Sequence, residues 1–268
     1  MLWPNSLKRC AKALHLYRPA RWVNQRLFRR ADLQRQREDT ALLAGLLKKG
    51  DLVFDVGANV GNKTRVFLGL GARVVAFEPQ ANCVAELRAR IGSRGDFTIE
   101  QCALGAKSGE ATLYVQANSV ASSLLKSWGN RTIGHVKVPV RTMDDMIHKY
   151  GVPKYVKIDV EGYELEVLKG LSRCIPLLSL EYHRDNEADV AKVRACLRHL
   201  KRFGALVVNL APVGRCVFHY PVWVNLPTFL NDFPHSYADD FAYRYGDIFV
   251  WAGNYGGGEE PERGCAAL

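Results

Sequence analysis

The junction Asp55-Val56-Gly57-Ala58-Asn59-Val60-Gly61 ends one apolar run and opens a helical one, and it constrains the fold more than any other part of this chain. Glycines at that spacing let the backbone turn tightly and let another group approach closer than a Cβ would permit. The same strand-to-helix theme recurs downstream. Residues 51–56 and 73–77 read as buried strands, with 62–70 and 81–91 as the helices that follow them. Residues 97–102, 154–160 and 177–182 are further strands of the same continuous apolar type. Residues 111–116 and 136–140 read as edge or hairpin strands around a Ser/Asn/Gly-rich loop at 117–134. A helix over 187–203 and strands over 205–210 and 247–251 complete the pattern. Such alternation predicts one α/β domain over residues 38–252, a mostly parallel sheet with helices on both faces. Residues 253–268, glycine-rich and then acidic, are expected to be a disordered tail.

The net charge of +10 would suggest a nucleic-acid partner if it were spread over the chain. It is not: ten basic residues and a single acid, Asp32, fall within residues 1–37, leaving the rest close to neutral. In this arm Leu7, Ala11, Leu14 and Tyr17 recur at helical spacing between bases, so an amphipathic helical arm facing an anionic membrane is expected. RNA is the second choice of partner and a removable transit segment the third. No apolar run reaches the roughly 18 residues that a membrane span needs. The seven cysteines show no metal-ligand spacing and read as free thiols in a reducing compartment. A cytoplasmic protein, membrane-peripheral through its arm, is the resulting expectation. The terminal Cys265-Ala266-Ala267-Leu268 matches a prenylation box, but its small middle residues and the acids before it favour chance.

The second strand ends in Glu78-Pro79, 23 residues after Asp55, where a carboxylate can accept hydrogen bonds from both hydroxyls of a ribose. Asn59 stands where the dinucleotide fingerprint has its second glycine, which argues against a pyrophosphate lying on the helix. A ligand with a ribose and no diphosphate is implied. S-adenosylmethionine fits, with its carboxylate and amine near Gly57 to Gly61 and its ribose on Glu78. Across the cleft, Asp159 and Glu161 share a face if their strand persists that far, and Glu181 and His183 are again two apart.

These segments resemble the FkbM-type methyltransferases. The likeness is carried by D-V-G-A-N-V-G at 55–61, F-E-P-Q at 77–80, A-L-G at 103–105, Ser122-Ser123 with Leu124, and above all K-I-D-V-E-G-Y-E-L-E-V-L-K-G at 157–170. The resemblance implies a class I methyltransferase, Rossmann-like sheet, S-adenosylmethionine as donor, and O-methylation of hydroxyls on sugars or natural products. It also implies a cofactor pocket lined by Asp55, Gly57, Ala58, Asn59, Gly61, Glu78 and Asp159, with Gln101 and Ala103 near the adenine.

Methyl transfer to a hydroxyl is helped by a base, and His183 is preferred because imidazole is suited to take a proton near neutral pH. Asp159, Glu161 and Glu181 would orient it or bind substrate hydroxyls. The alternative is a Mg2+ held by Asp159, Glu161 and Glu181; no metal is the preferred reading. Residues 218–246 are rich in aromatics and prolines without a regular period, which suggests an irregular lid stacking on a sugar. A nucleic-acid or protein methyltransferase is the rival enzyme, but Asp159-Val160-Glu161-Gly162 stands where base-methylating enzymes carry an N/D-P-P-Y/F tetrad, so nucleic acid is disfavoured. A cofactor-binding fold kept as an interaction module is the non-enzymatic alternative.

Overall fold

The computed structural model describes residues 33–116, 122–126, 132–213, 217–233 and 243–252. Most of the basic arm, the tail over 253–268, and Cys10, Cys216 and Cys265 therefore lie outside the described residues. A helix α1 over 33–44 leads into β1 (Leu52–Val56), α2 (Asn62–Gly69), β2 (Arg73–Phe77), α3 (Ala81–Ile91), β3 (Phe97–Glu100) and the two-residue β4 (Ala103–Leu104). Then come β5 (Gly109–Gln116), β6 (Thr132–Arg141), α4 (Met143–Tyr150), β7 (Tyr155–Ile158), α5 (Glu164–Lys169) and β8 (Leu177–His183). The chain continues through α6 (Glu187–Leu200), a 3-10 turn at Lys201–Phe203, β9 (Leu206–Pro212), β10 (Val224–Asn225), α7 (Leu226–Asp232) and β11 (Tyr245–Ala252).

Eight strands form the main sheet in the order β10-β9-β11-β8-β7-β1-β2-β3. The run from β3 to β8 is parallel, and β11 enters antiparallel between β8 and β9. Strand alternation sends successive side chains to opposite faces. On β1, β7 and β8 one face carries Phe54, Val156, Ile158, Leu178 and Leu180, covered by α4, α5 and α6. The other carries Val53, Tyr155 and Leu177, covered by Leu43, Leu46 and Leu47 and by Phe67 of α2. Both faces are buried, which is why these strands read as continuous apolar runs. A smaller sheet, β4-β6-β5, stands beside it.

Three local features depart from the sequence expectations. The strand expected over 154–160 stops at Ile158, because Glu161 and Gly162 adopt positive φ (54° and 91°) and turn the chain into α5. The segment expected as an irregular lid contains β10 and α7, the latter capped by Asn225 with a proline in its first turn. Its rings Phe229, Phe233 and Tyr243 are core residues, whereas Tyr237 and Phe241 lie outside the described residues. Helix α4 was not expected; a reciprocal capping box between Thr142 and Asp145 starts it.

Gly170, the last residue of the 157–170 motif, abuts the smaller sheet. A Cβ there would sit 2.2 Å from the Gly105 carbonyl oxygen, while the Gly170 carbonyl accepts from Asp144 N at 3.1 Å. Backbone on both sides leaves no flexible atom to yield. Gly170→Ala should therefore destabilise the domain by about 1–3 kcal/mol, read as a lower urea midpoint; an unchanged midpoint would contradict this packing.

Candidate active site

The carboxyl ends of the parallel strands border a cavity of about 440 Å³, within the range of small-molecule sites. Its lining draws on the turns after β1, β2 and β7, the end of β8, the start of β11 and helix α1. The domain boundary expected at residue 37 falls inside α1, whose Arg35, Gln36 and Asp39 line the cavity. Lys63 of α2 reaches Asp39 at 2.6 Å and Asp247 at 3.5 Å, tying α1 and β11 to the cleft.

The turn after β1 is built around Gly57. Its φ of 84° is left-handed, and a Cβ would lie 1.8 Å from the Asp159 carbonyl oxygen. Only glycine allows the β1 and β7 ends to close on each other in this way. Gly61 also has a left-handed φ, but its missing Cβ leaves room for Leu87 and it does not line the cavity. Its missing Cβ serves packing, and the cofactor contact expected of it has no counterpart in the cavity lining. Gln101 is likewise exposed and outside the lining, whereas Ala103, expected beside it, lines the cavity together with Cys102.

Glu78 is buried at the end of β2. One carboxylate oxygen accepts from Gln80 N at 2.8 Å and the other from Asn59 N at 2.9 Å. These two bonds aim the carboxylate and leave lone pairs on both oxygens for a diol. Burial pushes its pKa up to about 7, although the two backbone amides oppose the shift. Asp55 is fully buried; Oδ2 accepts from Thr64 Oγ1 at 2.5 Å, while Oδ1 and the Asn59 side-chain oxygen have no hydrogen-bond partner among the described residues. Buried acceptors left open beside a turn that a Cβ would fill are what a ligand with amine and hydroxyl donors would satisfy. S-adenosylmethionine, expected from sequence, has both.

On the other side, Lys157 is buried on β7, in register with Asp55 of β1, and its Nζ lies 2.6 Å from Asp159. Burial would lower its pKa, but Asp159, Asp55 and Asp247 together hold it above the usual lysine value. Burial would likewise raise Asp159; Lys157 and a hydrogen bond with Glu181 outweigh it and keep Asp159 below the ordinary carboxylate range. Glu181 goes the opposite way, raised first by burial and then by the Asp159 charge. Burial and the neighbouring charges thus push the two carboxyls of the pair in opposite directions. Lys157 was not singled out from sequence, although a charge inside a buried strand was the available signal.

Asp159, Glu161 and Glu181 all line the cavity; His183 does not. It stands behind Glu181, with Nε2 3.5 Å from Glu181 Oε2 and its ring stacked on Tyr245. The Glu161 carbonyl accepts from Ser123 Oγ at 2.8 Å, which gives the serine pair a structural role beside the cleft. Acids dominate the lining: Glu38, Asp39, Asp55, Glu78, Asp159, Glu161, Glu181 and Asp247 against Arg35, Lys63 and Lys157 among the described residues.

Comparison with known proteins adds the following. The family described as Methyltransferase FkbM domain matches residues 55–205. The hexuronic acid methyltransferase AglP of Haloferax volcanii is 28% identical over 153 residues, 56% of this chain and 62% of its own length. The chain thus spans less than two thirds of that relative. Among solved structures, Aeropyrum pernix fibrillarin with natively bound S-adenosyl-L-methionine is 11% identical with a TM-score of 0.44, covering 80% of this chain and 73% of that one. The precorrin-6y C5,15-methyltransferase of Geobacter metallireducens is 12% identical with a TM-score of 0.42, covering 80% and 88%.

Because the raised pKa belongs to an acid, Glu78 is protonated below about pH 7 and can then offer only part of its acceptor capacity. Calorimetry should show S-adenosylmethionine affinity falling as pH drops from 8 to 6, by at most about tenfold per unit. Glu78→Gln should bind about 1.5–3 kcal/mol more weakly and lose the pH dependence. A flat parent profile would contradict the ribose assignment.

Proposed function

The chain belongs to the FkbM methyltransferase domain family, and from that premise we propose that it transfers a methyl group from S-adenosylmethionine to an oxygen of a sugar, free or within a glycan or glycosylated natural product. One observation carries the reading: a single cleft holds both the Glu78 end and the Asp159–Glu181 pair. In the order β2-β1-β7-β8 the two members of the pair lie two and three strand spacings from the Glu78 end, about 10–14 Å, room for a nucleoside donor beside a small acceptor. The relative that acts on hexuronic acid supports an acidic sugar as the first acceptor to try.

When bound, S-adenosylmethionine supplies an electrophilic methyl carbon, its S–CH3 bond breaking with the electron pair left on sulfur as the O–CH3 bond forms. Glu78 and the open oxygens of Asp55 and Asn59 would hold the donor. Asp159, kept ionised by Lys157, accepts the hydrogen of the acceptor hydroxyl and aligns its oxygen. Glu181, hydrogen-bonded to Asp159, would hold that carboxylate in place beside the sugar. Alignment of this kind is worth about 7–11 kcal/mol, so a weak base suffices if the geometry is right. His183, expected as the base, is not given that part in this reading, since it lies outside the lining of the main cleft. The basic arm over 1–37 suits an anionic membrane surface, which would bring the cleft beside lipid-linked sugars.

The test is transfer of labelled methyl from donor to uronic-acid oligosaccharides, with neutral oligosaccharides, RNA and protein as parallel acceptors. Label is expected in the sugar fraction. Asp159→Asn should lower kcat at least about a hundredfold while changing donor Kd less than about threefold. Label entering RNA or protein instead would overturn the reading.

A further inference from the structure

Helix α1 turns one face to the cleft. Arg35, Glu38, Asp39 and Leu42 all line the cavity, and their i, i+3, i+4, i+7 spacing puts them on one side of a helix. Asp39 anchors this face: Lys63 bridges it to Asp247 of β11, and Asp247 stands opposite Glu181 in the β11–β8 pairing. The helix is therefore tied to the end of the cleft assigned to the acceptor, and Arg35 lies one helical turn before Asp39 on the same side. Of the three bases in the described lining, two are already neutralised. Lys157 is held by Asp159 and Asp55, and Lys63 by Asp39 and Asp247. Arg35 differs. The acids three and four residues on, with which a helical arginine commonly pairs, are engaged elsewhere: Glu38 accepts from Gln34 Nε2 at 2.9 Å and Asp39 from Lys63 Nζ at 2.6 Å. Arg35 is exposed at the cavity wall and makes no ion pair or hydrogen bond among the described residues.

An acidic sugar meets an obstacle in this cleft. Its carboxylate enters a space where acids outnumber bases, and like charges at close range repel. A guanidinium held by no acid at the wall offsets that repulsion, because its planar fork takes a carboxylate through two parallel hydrogen bonds. We propose that Arg35 selects an acidic acceptor, its guanidinium pairing with the sugar carboxylate while Asp159 aligns the hydroxyl to be methylated. The inference rests on the sugar-acceptor reading above and names the residue that gives that reading its preference for acids. By sequence Arg35 is counted among the charges of the basic arm; its place in the cleft lining sets it apart from them.

The experiment measures by calorimetry the binding of a uronic-acid disaccharide, and of its carboxyl-reduced analogue, to the full chain saturated with S-adenosylhomocysteine. The parent is expected to bind the acidic sugar at least tenfold more tightly than the reduced one. Arg35→Gln, at an exposed helical position that suits glutamine, should weaken the acidic sugar at least tenfold, while the reduced sugar and S-adenosylhomocysteine bind within twofold of the parent. Arg35→Lys, which keeps the charge and loses the fork, should fall between. A parent that shows no preference for the acidic sugar overturns the proposal. So does an Arg35→Gln variant that binds the acidic sugar as the parent does, that weakens both sugars alike, or that loses S-adenosylhomocysteine, which would assign the guanidinium to the donor. No methyl transfer enters these measurements. Label entering RNA or protein in the transfer assay therefore counts against the sugar reading, whereas equal binding of the two disaccharides counts against the role of Arg35.

Discussion

A buried ammonium organises the chemistry of this cleft. Lys157 lies within a strand whose neighbours are apolar on both sides, and it persists as a cation because Asp55 is beside it in register and Asp159 is 2.6 Å away. Removing one member of such a buried set typically costs about 3–5 kcal/mol, so strand stability and site electrostatics are linked through the same side chain. Its further effect is to pull Asp159 below the ordinary carboxylate range, while burial and the Asp159 charge raise Glu181, one strand further out.

Backbone geometry supplies the second constraint. The missing Cβ of Gly57 lets the β1 turn touch the carbonyl of Asp159, so the β1 and β7 ends meet at one peptide. The 157–170 motif then divides its labour. Lys157, Asp159 and Glu161 face the cleft, whereas Glu164 turns back to accept from Gly162 N and Val160 N and holds the turn, and Gly170 lets α5 reach the second sheet. A motif that looks wholly functional in sequence is thus about half scaffold.

Much of this was legible beforehand. The bounds of β2 and α3 match expectation residue for residue, because an apolar run and a three-to-four period are unambiguous at those lengths. What was not legible has identifiable causes. The strand through 154–160 ends early since two positive φ values at Glu161 and Gly162 are a property of the turn, not of hydropathy. Helix α4 spans only eight residues, too few for its period to stand out. Aromatic composition over 218–246 suggested a lid, yet it could not distinguish rings that cover a ligand from rings such as Phe229 that fill the core. The two-residue spacing puts His183 on the same side of β8 as Glu181, but spacing alone says nothing of depth, and the lining of the main cleft includes Glu181 and not His183.

The central claim is that a nucleoside-bearing methyl donor lies across the β1 and β2 ends with its reactive side turned to Asp159. A crystal structure grown with S-adenosylhomocysteine tests it directly. The account predicts both ribose hydroxyls within hydrogen-bond distance, about 3 Å, of Glu78, with the sulfur facing Asp159 and Glu181. A ligand bound with its ribose away from Glu78, or outside this cleft altogether, would contradict it.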